Sequence, residues 1–345
     1  MTIRFMNKGF TLIKKLFSYH ETFVFLAVVI FALVITFINP SFFTLENMFD
    51  LLKSYSLMGT FAIGVLFVLI SGGIDISFTA TATITGYVIA VLLLRNGEQL
   101  NIVTVFLIAG GIGILLGMVN ALIIYFFNIP SIITTIATLN IYYGILTVLS
   151  KGKWLYGFPE WFGKYTQMYV FTLRTPEGTP YGLSVITVFW FVLLLIAWFI
   201  LKYTVLGRSI YAMGGNIASA KRAGFNLLRL HLFVYSFMGL MAGFASVIQA
   251  LLVQTVAPNS LVGKELDVLA AVVLGGASLT GGTGSVLGTI LGVALIAIMG
   301  NGLTLMHVPS YWYKVVIGTV ILISVGTSAY RRKVSTRRRA IIEVE

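Results

Sequence analysis

The chain has 345 residues, 58% of them hydrophobic and only 10% charged, with a formal net charge of +12. This is not the composition of a soluble globule, and because the basic residues sit between and beyond apolar runs, the charge speaks for orientation in a membrane rather than for nucleic acid. With no cysteine, disulfide and thiol chemistry are excluded.

Residues 1–21 are basic, and 4–17 suit an amphipathic segment lying on the membrane surface. The apolar run that follows is longer than a signal-peptide core and has no small-x-small cleavage site after it, so it reads as a retained first helix. Ten candidate spans are expected, at 22–39, 57–71, 77–94, 102–126, 131–149, 181–202, 230–256, 266–277, 284–303 and 310–328. The fold class is therefore all-α, a polytopic membrane protein of about ten transmembrane helices. With the N-terminus inside, the cytoplasmic segments hold 15 of the 23 Lys and Arg residues: four before the first span, five at 202–229 and six in the tail from Arg331. That asymmetry places both termini in the cytoplasm. The domain division is a basic segment at 1–21, a transmembrane domain at 22–328 with a cytoplasmic loop at 203–229, and a basic tail at 329–345.

The outer loop at 150–180 carries Trp154, Tyr156, Trp161, Tyr165 and Tyr169. It reads either as an aromatic belt at headgroup level or as a loop holding a short surface helix. Two glycine pairs interrupt the helical pattern, Gly72-Gly73 before Ile74-Asp75-Ile76-Ser77 and Gly275-Gly276 before Ala277-Ser278-Leu279-Thr280-Gly281-Gly282. Such breaks are either tight turns between hairpin helices or irregular backbone along a transport path. Five spans on each side of Tyr181 would also suit an inverted repeat. Asp75 is either a path residue or a cap on the next helix. Asn120 and Asn140 are amides within spans. Glycines spaced four apart, at Gly113 and Gly117, Gly239 and Gly243, and Gly284, Gly288 and Gly292, imply close helix packing.

The stretch 206–229 is the longest polar interruption of the second half, with four basic residues and no acid. Its centre, Asn216, Ile217, Ala218, Ser219, Ala220, Lys221, Arg222, Ala223 and Gly224, reads as a short capped helix. It is either a docking helix for a soluble partner or a solvated orientation loop. There is no phosphate-binding glycine loop, no metal-ligand cluster and no catalytic constellation, and no chain of titratable residues crosses the bilayer. No catalytic or metal residues and no cofactor are therefore assigned to the chain, and active transport would draw its energy from another polypeptide.

These pieces resemble the permease subunits of bacterial ABC importers of the ribose type. The matching residues are Gly72 to Ser77, Gly207-Arg208-Ser209-Ile210-Tyr211-Ala212 through Gly224, and Leu274 to Gly282, within a likeness spanning about 43–328. Lys151 to Pro159 and Val308-Pro309-Ser310-Tyr311-Trp312 look more like the autoinducer-2 and rhamnose branches, and Phe78-Thr79 departs from the usual pattern. The resemblance implies a subunit of a dimer, formed with a second copy or a paralogue, in the bacterial inner membrane. It implies two cytoplasmic ATPase subunits that bind the ATP and magnesium, and an extracytoplasmic binding protein. Asn216 to Gly224 would be the coupling helix, and Gly72, Gly73, Asp75, Asn120, Asn140, Gly275 and Gly276 are the candidate path residues. The expected function is import of a monosaccharide or sugar-like solute; the alternative is a self-contained secondary transporter or facilitator.

Overall fold

The computed structural model describes residues 20–309, 311–320, 322 and 326. The helices are α1 (His20–Ile38), α2 (Leu45–Ile70), α3 (Phe78–Asn96), α4 (Ile102–Phe127), α5 (Ser131–Ser150), α6 (Glu160–Lys164), α7 (Val185–Tyr203), α8 (Val205–Gly215), α9 (Ile217–Arg222), α10 (Leu227–Val253), α11 (Lys264–Leu274) and α12 (Val286–Leu305). Eight of these segments are long and apolar enough to cross a membrane: α1 to α5, α7, α10 and α12. The ninth expected span is α11, only 11 residues long. At 1.5 Å per residue it is about 16 Å, half a bilayer core. The tenth is helical at 311–320 and otherwise lies outside the described residues, as do the basic segment before residue 20 and the tail at 329–345.

The caps explain most boundaries. Thr44, Asn101, Ser184, Thr204, Asn216, Asn226 and Ser285 each accept a hydrogen bond from a first-turn N–H. α10 is the central helix, packed along α4, α2 and α3. Its seam with α4 is made of the two glycine pairs: a Cβ at Gly113 or Gly117 would run into the backbone of Gly239 or Tyr235, and one at Gly243 into Ala109. Helices this close trade side-chain burial for backbone contact, the usual solution where lipid supplies no hydrophobic drive between helices. In the same way Gly288 and Gly292 of α12 meet Gly275 and Ala271 at the end of α11.

The connecting segments sort to two ends. The loop end carries residues 151–184, which hold a short strand β1 (Leu155–Tyr156), helix α6 and the hairpin β2 (Tyr169–Arg174) with β3 (Pro180–Ser184). β1 pairs with β4 (Thr255–Val256) beyond the end of α10. Trp161 donates to the Gly97 carbonyl at 2.8 Å and Thr166 to the Leu251 carbonyl at 2.8 Å, so α6 is fixed over α3 and α10. The aromatic residues divide: Trp161 is pinned to the protein, whereas Trp154 and Tyr156 stay exposed. The opposite, basic end carries the α2–α3 and α11–α12 turns and the α8–α9 segment.

Candidate functional site

At the basic end the three glycine-bearing motifs meet. α2 ends with Gly72 at φ +85°, its N–H donating to Leu69 while Gly73 N–H donates to Val68. α11 ends with Gly276 at φ +96°, its N–H donating to Val273 while Ala277 N–H donates to Val272. These are the same paired C-terminal cap, which needs a left-handed residue and so selects glycine. Both glycine pairs are thus turns of helical hairpins. Both hairpins turn at the same end, where their glycine turns touch each other.

The end of α8 is wedged between the two turns. A Cβ at Gly214 would strike the Ile70 carbonyl oxygen and come within 2.7 Å of Gly282 N; one at Gly281 would come within 2.6 Å of Gly214 O and 2.7 Å of Gly72 Cα. Gly282 N–H donates to the Ile70 carbonyl at 2.9 Å, joining the two turns directly. Tyr211 of α8 donates to the Gly284 carbonyl at 2.7 Å, and Ser285 donates to Glu21 at the start of α1. A backbone-to-backbone contact has no rotamers to absorb displacement. α8 is in direct backbone contact with the α2–α3 and α11–α12 turns together.

The α2–α3 turn is held from the other side as well. Asp75, 3% exposed, accepts from Ser77 N–H and Ser77 Oγ, both at 2.7 Å. Ser77 Oγ in turn accepts from the Asn120 amide of α4 at 2.7 Å. Ile74 N–H donates to Ser131 Oγ at 2.9 Å and its carbonyl accepts from Thr135 at 3.2 Å, both on α5. The irregular backbone is thus satisfied inside the protein. Burial pushes the Asp75 carboxyl above the usual carboxylate range, opposed by the hydrogen bonds from Ser77 and Phe78. Asp75 thus ties the backbone just ahead of α3, whose N-cap is Ser77, and an Asn oxygen can accept the same bonds. Asp75→Asn is therefore expected to keep the wild-type melting temperature in detergent, and Asp75→Ala to cost about 1–2 kcal/mol. A large loss in the Asn variant would show that the charge itself is needed.

α9 follows directly. Asn216 caps it by accepting from Ser219 N–H at 2.8 Å, and Gly224 at φ +84° ends it, with Phe225 N–H donating to Ala220 at 3.2 Å. The helix proper is shorter than the 216–224 stretch read from sequence, with Asn216, Ala223 and Gly224 as its flanks. Ala220 is buried at 3% exposure within the main core, so it does not belong to the free surface. Ile217, Ala218, Ser219, Lys221, Arg222, Ala223 and Gly224 are all exposed.

Of the candidate path residues, Gly72, Gly73, Asp75 and Asn120 come together at the first turn, and Gly275 and Gly276 form the second. Asn140 stands apart, exposed on α5 with its amide donating to the Ile136 carbonyl at 2.8 Å. Gly214 and Tyr211 enter only as part of the stretch from Gly207 to Gly224 that carries the resemblance, and Ser131 and Thr135 are not singled out by the sequence. The Gly214-Gly215 pair inside an otherwise helical stretch was the available signal for the first of them.

Residues 47–325 match the family described as the branched-chain amino acid transport system / permease component. The chain belongs to this permease family. It is a multi-pass plasma-membrane protein, a transport subunit and not a catalytic enzyme. It is similar to the ribose import permease protein RbsC of Escherichia coli K12, 32% identical over 307 residues that cover 87% of this chain and 91% of the relative. RbsC of Bacillus subtilis is 33% identical over 301 residues, covering 87% and 90%. The autoinducer 2 import system permease protein LsrC of Enterobacter sp. strain 638 is 29% identical over 329 residues, covering 95% and 92%. No solved structure matches the chain.

Proposed function

We propose that this permease is the membrane subunit of an ATP-driven importer of a monosaccharide or sugar-like solute, working as a dimer with cytoplasmic ATPase subunits and an extracytoplasmic binding protein. The single observation that carries the reading is the placement of α9. It is a basic helix with a free outer face, one residue from a backbone junction that holds both glycine turns. On this reading the basic end faces the cytoplasm, the ATPase grips the face of α9 around Lys221 and Arg222, and α8 carries the displacement to the turns. The similarity to ribose and autoinducer 2 import permeases supports the substrate class. ATP and magnesium would bind to the ATPase and not to this chain.

Reconstitution into liposomes tests this. The permease alone is expected to hydrolyse no ATP and to accumulate no solute. With its ATPase and binding protein it is expected to concentrate the solute only when ATP is supplied. Uphill uptake by the permease alone, driven by a proton or sodium gradient, would establish the secondary-transporter reading instead.

A further inference from the structure

A second polar cluster lies deep in the membrane part, at the start of the half-helix α11. The chain leaves the loop end at β4 and reaches α11 through residues 257–263, which are not helical. Their backbone is tied by successive turns, Ser260 to Ala257, Val262 to Asn259 and Lys264 to Leu261. Two contacts show how far in this segment goes. The Glu265 carboxylate accepts from Thr79 Oγ1 at 3.2 Å. Asp267 lies near Tyr55, eleventh of the 26 residues of α2. α3 and α10 run in the same direction, and Gly86 packs on Ser246. Thr79, seven residues or about 10 Å back along α3, is then level with the middle of the 27-residue α10. Glu265 is therefore level with the middle of α10, inside the helical bundle, where a carboxylate is costly and persists for function or for a partner.

What surrounds it is hydroxyl-rich. Thr79 and Thr83 are buried on α3. The Tyr143 hydroxyl of α5 lies beside both and near Glu265, buried and without a hydrogen bond of standard geometry. Asn140, one turn along α5, is exposed, as is Leu266 beside Glu265. The other carboxylate contact is the Gly263 N–H, at 3.0 Å to Oε2 and 3.2 Å to Oε1. A half-buried carboxylate holding one threonine and one backbone N–H, next to a buried phenol, has acceptor capacity to spare.

We propose that Glu265, Thr79 and Tyr143, with Asn140 at the exposed edge, form a mid-membrane contact site for an uncharged, hydroxyl-rich solute. The carboxylate accepts from solute hydroxyls, the phenol and the Asn140 amide donate to them, and the negative charge rejects anionic solutes. Discontinuous helices that end at mid-depth are where transport sites form. The inference rests on the chain being a transporter, and it is tested without ATP, partner proteins or a known substrate.

The chain has no cysteine, so a single Asn140→Cys reports without background. The probes are a cationic and an anionic methanethiosulfonate of equal size, applied to the full-length permease in liposomes. The thiol introduced by Asn140→Cys is expected to react with both, the cationic reagent about tenfold faster, because a neighbouring carboxylate attracts the cation and repels the anion, tenfold corresponding to about 1.4 kcal/mol. Glu265→Gln in the same background is expected to bring the ratio near one, and Glu265→Asp to restore most of it. Ile145→Cys, on the apolar exposed face of α5, is expected to stay unreactive. No reaction of the Asn140→Cys variant, or a ratio unchanged by Glu265→Gln in a protein that still runs as a single species, would overturn the proposal. If ATP-dependent uptake fails while the labelling pattern holds, the site stands and only the ATP-driven reading falls.

Discussion

Gly214→Val is expected to cripple the permease, whereas Gly215→Ala next to it is expected to be silent. The two glycines are adjacent in α8 and differ in surroundings alone. A side chain at Gly214 has nowhere to go, because the atoms it would meet are the Ile70 carbonyl and the Gly282 amide, backbone on both sides. A Cβ at Gly215 meets nothing within 4 Å. Overpacking against backbone costs about 3 kcal/mol, since no rotamer change relieves it. The valine must therefore push α8 away from the turns, breaking the Gly282–Ile70 and Tyr211–Gly284 hydrogen bonds or straining both. The expected results are a lower melting temperature and at least a tenfold loss of ATP-dependent uptake. Alanine at Gly215 is expected to change stability by less than about 1 kcal/mol, in the stabilising direction if the helix end is ordered. Equal behaviour of the two variants would remove the junction from the mechanism. Tyr211→Phe is the gentler companion, deleting only the bond to the Gly284 carbonyl.

The second large effect is expected on the outer face of α9. Ile217 is 55% exposed, an apolar side chain held in the open between two caps. Lys221 and Arg222 are exposed one turn on, with Arg222 donating to Ser219 Oγ at 3.1 Å. Ile217→Glu and Lys221→Glu change nothing inside the fold, so expression and melting temperature are expected to stay near wild type. Both reverse the chemistry that a cleft with acidic or carbonyl edges would require. Ala220→Leu should do the opposite. It places bulk in the core beneath α9 and is expected to destabilise the permease by about 1–3 kcal/mol before any partner is involved. The two classes of variant separate docking from folding.

Much of this was legible in the sequence because the signals were local. The glycine pairs at Gly72 and Gly276 announce helix ends since their caps need φ > 0, and Asn216 with Gly224 brackets α9 for the same reason. The glycines at spacing four found their partners across α4 and α10 by the ordinary logic of close packing. Three features were hidden. α8 is a helix of its own, running from the Thr204 cap to Gly215, and its mixed apolar and polar residues resemble a loop when read by hydropathy alone. The descent at 257–263 looks like any outer turn, and the apolar residues of α11 look like a short span. Glu265 then fell just outside the expected span at 266–277, and only the fold brings it to Thr79 and Tyr143. The junction itself joins residues far apart in the chain, and no periodicity encodes which glycine meets which carbonyl.

The most direct test of the account is the ratio of ATP hydrolysis with and without binding protein, measured on the reconstituted complex carrying Ile217→Glu together with Lys221→Glu. The wild-type complex is expected to be stimulated severalfold. The double variant, with its fold intact, is expected to give a ratio of one and no ATP-dependent uptake. Full stimulation in the double variant would mean that α9 does not receive the ATPase, and the coupling role assigned to residues 216–224 would be wrong.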